Sequence, residues 1–148
     1  MSLKPRILLI EDDEDMIEAM KLTLEAQNYN VMSASNPDAG YKKAQKEKPD
    51  VIILDVMFGE KEETKGFDFA VKFKRDKNTA SIPILMITAV NIRYPGFRFS
   101  HETDGEYLPV DDFINKPANP DELVEKVKNL LALKVSKWVN WPDVKKSE

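Results

Sequence analysis

Cysteine is absent from the 148 residues, which excludes disulfides and thiolate metal sites and fits a reducing compartment. Histidine occurs once, as His101 in a polar stretch, and reads as a surface residue rather than a ligand. No basic excess is present: Lys+Arg 22 against Asp+Glu 26 leaves a net charge of -4, and no basic arm is visible, so a nucleic-acid-binding surface is disfavoured. Long apolar runs are missing too. The longest, Ile84 to Val90, is far too short to span a bilayer, and the opening MSLKPRILLI meets acids at once, unlike a signal peptide. These absences leave the expectation of a cytoplasmic, one-domain chain without membrane partners, long enough to bury roughly 70% of its unfolded surface.

Short apolar runs alternate with helical periodicity. Arg6 to Ile10 is a continuous apolar run of the kind buried on both faces of a parallel sheet. Ile17, Met20 and Leu24 recur at helical spacing between Glu14 and Gln27. Val31 to Ala34 reads as a weaker strand at the sheet edge, and Pro37 opens a helix to about Glu47. Val51 to Leu54 is the most apolar strand. A third helix begins at Gly66 or Phe67 and is expected to carry Phe67, Ala70 and Val71 inward. Pro83 introduces the strand Ile84 to Thr88, and Phe113-Ile114 marks a last short strand. A strongly periodic helix then runs from Asp121, with Leu123, Val127, Leu130 and Leu131 on one face. Right-handed crossovers turn this alternation into a doubly wound α/β fold, a five-stranded parallel sheet with helices on both faces.

The strands end on polar residues. The first leads into Glu11, Asp12 and Asp13, the third stops on Asp55, the fourth ends on Thr88, and the fifth runs into Lys116-Pro117. Open α/β sheets bind ligands at the carboxyl ends of their strands, so these residues would share one rim. Two carboxylates about 4 Å apart repel by roughly 4 kcal/mol at an effective dielectric near 20, so crowding Glu11, Asp12 and Asp55 makes sense only with a cation. Three acids, a hydroxyl and one cation suit a hard metal ion and a phosphoryl group.

The segments RILLIEDDED, VIILDVM, PILMITA and DFINKP resemble those of a two-component response-regulator receiver domain, over nearly the whole chain. The resemblance implies the flavodoxin-like (βα)5 receiver fold and a function: taking a phosphoryl group from a histidine kinase or phosphotransfer protein. Asp55 would be the phosphoacceptor, with Glu11, Asp12, Asp55 and the backbone carbonyl of Met57 holding Mg²⁺. Thr88 would be the switch hydroxyl, Lys116 the phosphoryl-holding cation, and Phe113 the switch aromatic. The chain would act on an unknown downstream protein and would not be an enzyme beyond Mg²⁺-dependent self-phosphorylation and autodephosphorylation. The alternative is a pseudo-receiver or adaptor that signals through constitutive contacts. A phosphatase with an aspartyl nucleophile is disfavoured, because Asp55-Val56-Met57 lacks the DxD pattern such enzymes resemble.

Some stretches depart from the family. The loop after Asp55 lacks the usual proline, and its glycine, Gly66, arrives late. Met57 and Val90 put apolar side chains beside the site, which would slow water attack on an acyl phosphate. From Asn91 to Asp111 the chain carries Pro95, Gly96, Gly105 and Pro109, so the fourth helix is expected to be short or replaced by a loop. Tyr94, Phe97, Phe99 and Tyr107 would anchor that segment, which becomes the expected partner surface. The receiver domain is placed at 1–135 and a tail with Trp138 and Trp141 at 136–148, with no output domain expected after it.

Overall fold

The computed structural model describes residues 4–56, 69–88 and 110–132. Five strands form one parallel sheet: β1 (Arg6–Ile10), β2 (Asn30–Ala34), β3 (Val51–Val56), β4 (Ile84–Thr88) and β5 (Asp112–Asn115). Their order is β2-β1-β3-β4-β5, so the chain starts in the middle, winds one way to the β2 edge and returns to build the other half. The predicted edge position of β2 is borne out.

Every interior strand is buried on both faces, and alternate residues feed two separate cores. Ile7, Leu9, Ile53, Leu85 and Ile87 pack under α1 (Glu14–Glu25) and the helix over 120–132, through Met20, Leu24, Leu123, Val127 and Leu130. Leu8, Ile10, Ile52, Leu54 and Met86 pack under α2 (Pro37–Glu47) and the helix over 69–75, through Ala44, Ala70 and Phe73. Fully burying each such side chain contributes about 1.5–3 kcal/mol, so the two layers carry most of the stabilisation of the sheet. Gly40 lets α2 press onto β1: a methyl group there would collide with Ile10 Cδ1 and stand 2.6 Å from its Cγ1.

Helix ends follow their local chemistry. Asp13 caps α1 by accepting from the N–H groups of Asp15 and Met16, and Asn36 caps α2 by accepting from Ala39 N–H. Asn119 does the same for the 120–132 helix, accepting from Asp121 and Glu122 ahead of a first-turn Pro120. The α1 expectation ran two residues long, since Ala26 already caps the helix and Asn28 turns the chain at φ 72°. In the third helix Ala70 and Phe73 are buried, while Val71 is only half-buried. The expected inward set is corrected there: Phe73, one turn past Ala70, fills the core that was assigned to Val71.

Several expectations lie outside the described residues: Met57, the loop after it, Phe67, the aromatic anchors and fourth helix of the 91–109 stretch, His101, and the tail with its tryptophans. Val110 and Asp111 are described, and they dock that stretch's end. Val110 is buried in the α2-side core, and Asp111 Oδ2 accepts from Ile84 N–H (2.8 Å) and Lys74 Nζ (3.0 Å).

Candidate functional site

Strand register delivers the acids to one place. β1 and β3 pair in parallel up to Ile10↔Leu54, so Glu11 and Asp55 each follow a paired residue and leave the sheet side by side. Both follow the alternation of Ile7, Leu9 and Ile53, on the α1 side. Glu11 is held by backbone at both ends: its N–H donates to the Ala34 carbonyl (3.0 Å), and its Oε2 accepts from Asp13 N–H (2.9 Å). Asp13 therefore has two tasks, capping α1 with its carboxylate and fixing Glu11 with its amide. Its position before a helical run signalled the first task; nothing in the sequence signalled the second.

Glu11 and Asp55 are buried, a rare condition for carboxylates. The Asp55 side chain is 0% exposed, and Lys116 Nζ stands 2.8 Å from its Oδ1. Among the described residues Glu11 Oε1 and Asp55 Oδ2 have no hydrogen-bond partner, while Asp55 Oδ1 has the Lys116 ammonium. Lys116 reaches across β4, because β5 continues into it one step past Thr88↔Asn115. The Lys116–Pro117 peptide is cis. Burial pushes the Asp55 carboxyl above its ordinary value, and the ammonium of Lys116 only partly opposes the rise.

Two buried carboxylate oxygens without a partner, Glu11 Oε1 and Asp55 Oδ2, are a defect unless something arrives to use them, because buried polar atoms without partners cost about 1–3 kcal/mol each. Their chemistry, hard carboxylate oxygen, fits Mg²⁺, which keeps several waters and needs few protein ligands. Asp12, the residue after Glu11, is exposed. Among the described residues no three His, Cys, Asp or Glu side chains, Glu11, Asp12 and Asp55 included, are grouped closely enough to hold a metal ion between them.

The remaining predicted residues fall nearby. Thr88 ends β4 in register with Val56, the residue after Asp55. Phe113 is half-buried against the α2-side core, and its carbonyl accepts from Lys126 Nζ (2.7 Å).

A receiver-domain model, that of the response regulator receiver domain, matches residues 7–128. The chain belongs to this family. It is 32% identical over 127 residues to the DNA-binding dual master transcriptional regulator RpaA of Synechocystis, a match covering 86% of this chain and 49% of that protein. The chain spans about half the length of the curated relatives it matches. Its fold superposes on a CheY-like receiver domain protein from Methanospirillum hungatei with a TM-score of 0.73 at 24% identity, covering 91% of this chain and 99% of that one. It also superposes on the receiver domain of a sensor histidine kinase from Pseudomonas aeruginosa, which carries a magnesium ion in its active-site cleft; there the TM-score is 0.69 at 19% identity, over 88% and 99% of the two chains. The chain is thus a receiver domain with the CheY-like fold. No described helix is long and apolar enough to cross a membrane.

Proposed function

We propose that Asp55 accepts a phosphoryl group from a histidine kinase or phosphotransfer protein, with Mg²⁺ held by Glu11, Asp12, Asp55 and the Met57 carbonyl, and that this modification alters contacts with a separate protein. The observation that carries the reading is the buried Asp55 carboxylate, with Oδ2 unpartnered and Lys116 Nζ 2.8 Å from Oδ1. An Asp55 oxygen would attack phosphorus, the bond from phosphorus to the donor's imidazole nitrogen would break, and that nitrogen would leave with the electron pair. Mg²⁺ bound among these oxygens would offset the repulsion between an anionic nucleophile and an anionic donor.

The chain's own residues do the rest. Lys116 is already in the corner and can move its charge from Asp55 Oδ1 to a phosphoryl oxygen. Backbone contacts keep Glu11 fixed, so the acceptor works against a rigid floor. Thr88 is assigned as the switch hydroxyl and Phe113 as the switch aromatic, each ending or lying in a strand beside the acceptor's own half of the sheet. This reading gives the chain no external substrate to turn over beyond its own acyl phosphate.

The test is intact-mass measurement after incubation with acetyl phosphate, with and without Mg²⁺. One phosphoryl group should appear on the wild type in Mg²⁺ and none on Asp55→Asn. A wild type that stays unmodified in Mg²⁺ would instead favour an adaptor working through constitutive contacts.

A further inference from the structure

Charge is divided by the sheet. On the α2 side, Lys42, Lys46, Lys48, Lys72, Arg75 and Lys77 are all exposed. Two acids there are occupied: Glu47 pairs with Arg6 (2.6 Å), and Asp76 Oδ2 accepts from Tyr41 Oη (2.6 Å) and Gln45 Nε2 (2.7 Å) while its Oδ1 accepts from Asn78 N–H (2.8 Å); Asp38, in the first turn of α2, is exposed. Between α2 and the 69–75 helix lies a groove of about 640 Å³ lined by Tyr41, Val71, Lys72, Arg75 and Asp76. Its floor is apolar, built on the Tyr41 ring, which packs against Phe73 with ring centres 5.3 Å apart. Lys72 Nζ lies 4.4 Å from the centre of the same ring. The groove therefore presents a hydrophobic base beside two cations, and the one carboxylate that lines it, Asp76, is already bonded to Tyr41, Gln45 and Asn78.

The opposite side carries the complement. α1 contains Glu14, Asp15, Glu18 and Glu25 against the single cation Lys21. Glu18, Leu22 and Glu25 sit one turn apart and form one stripe on the helix surface. Leu22 is the one large apolar side chain strongly exposed among the described residues, at 64%. An apolar knob between acids on one face thus matches an apolar groove beside cations on the other.

We propose that the groove between α2 and the 69–75 helix is the seat for α1 of a second copy of this chain, with Leu22 entering over Tyr41 and Val71 and Glu18 and Glu25 facing Lys72 and Arg75. Because the two patches lie on opposite sides of the sheet, the contact is heterologous, and copies add head to tail into rings or open strings instead of closing as a symmetric pair. One helix in one groove is a small contact of weak affinity, and its dependence on exposed charges makes it sensitive to salt.

Sedimentation velocity over a concentration series tests this, in about 0.01 M and about 1 M salt, where the Debye length falls from about 30 Å to about 3 Å. The average mass should rise with concentration in low salt and stay monomeric in high salt. The pair Lys72→Glu with Arg75→Glu should weaken association about tenfold or more, and Leu22→Gln should weaken it without moving the thermal midpoint. Glu18→Lys with Glu25→Lys should do the same alone, and mixing the two charge-reversed proteins should restore assembly. A monomer at every concentration in low salt overturns the proposal, as does assembly indifferent to reversal at Lys72 and Arg75. Retention of heparin that depends on Lys72 and Arg75 while the chain stays monomeric would assign the groove to a polyanion and overturn it equally.

Discussion

Replacing Glu11 by Gln removes one carboxylate from the buried corner and leaves its shape almost unchanged. Adjacent strands run about 4.8 Å apart, and Glu11 and Asp55 follow the paired residues Ile10 and Leu54. At that spacing and an effective dielectric near 20, two carboxylates repel by about 3 kcal/mol. Independently of that repulsion, burial holds the Asp55 carboxyl above its ordinary value and Lys116 only partly opposes the rise, so the metal-free fold bears a net cost when the site is ionised. A carboxyl whose folded value is raised favours the fold only while protonated. Its contribution is complete below the ordinary 3.8 and is lost as pH climbs through the raised folded value. Glu11→Gln and Asp55→Asn should each therefore stabilise the metal-free chain at neutral pH, by about 1–3 kcal/mol after relaxation, and Asp55→Asn should also flatten the fall in stability above pH 3.8. For a chain of this size each kcal/mol moves the midpoint by about 2–4 °C, so thermal melts in a chelating buffer, repeated from acid to neutral pH, resolve the effect. Mg²⁺ should then stabilise the wild type more than either variant. Midpoints that fall or stay level in the metal-free variants would refute the claim that the corner is strained without a cation.

Three further perturbations probe separate links. Lys116→Ala leaves a buried carboxylate with no cation beside it and should cost about 3 kcal/mol at neutral pH, read from the urea midpoint; no loss would mean the ion pair is not holding Asp55. Asp12→Ala, at an exposed position, should weaken Mg²⁺ binding in titration calorimetry while the metal-free melt stays unchanged. Gly40→Ala should destabilise the fold by about 1–3 kcal/mol in denaturant melts, because the added methyl group meets Ile10 against a packed core.

Much of the fold was legible because its signals are local and redundant. A strand such as Val51 to Leu54, apolar at every position, can only be buried on both faces, and the acids that end β1 and β3 announce the rim by contrast. Register was not legible. That Glu11 and Asp55 leave the sheet side by side depends on the pairing of Ile10 with Leu54, a long-range choice made by the two cores together. Burial of Phe73 in place of Val71 was missed for a related reason: a short amphipathic segment admits two inward faces, and the Tyr41 ring across the groove selects one. The second task of Asp13 escaped because it is done by a backbone N–H, which every residue except proline carries.

The central claim is that Asp55, and no other residue, receives the phosphoryl group. Borohydride reduction of the acetyl-phosphate-treated protein converts an acyl phosphate on aspartate into homoserine, which peptide mass spectrometry locates. Homoserine at position 55, formed in Mg²⁺ and absent when the metal is chelated, is the predicted result. Homoserine at Asp12, Asp13 or any other acid, or at position 55 to the same extent without Mg²⁺, would contradict it.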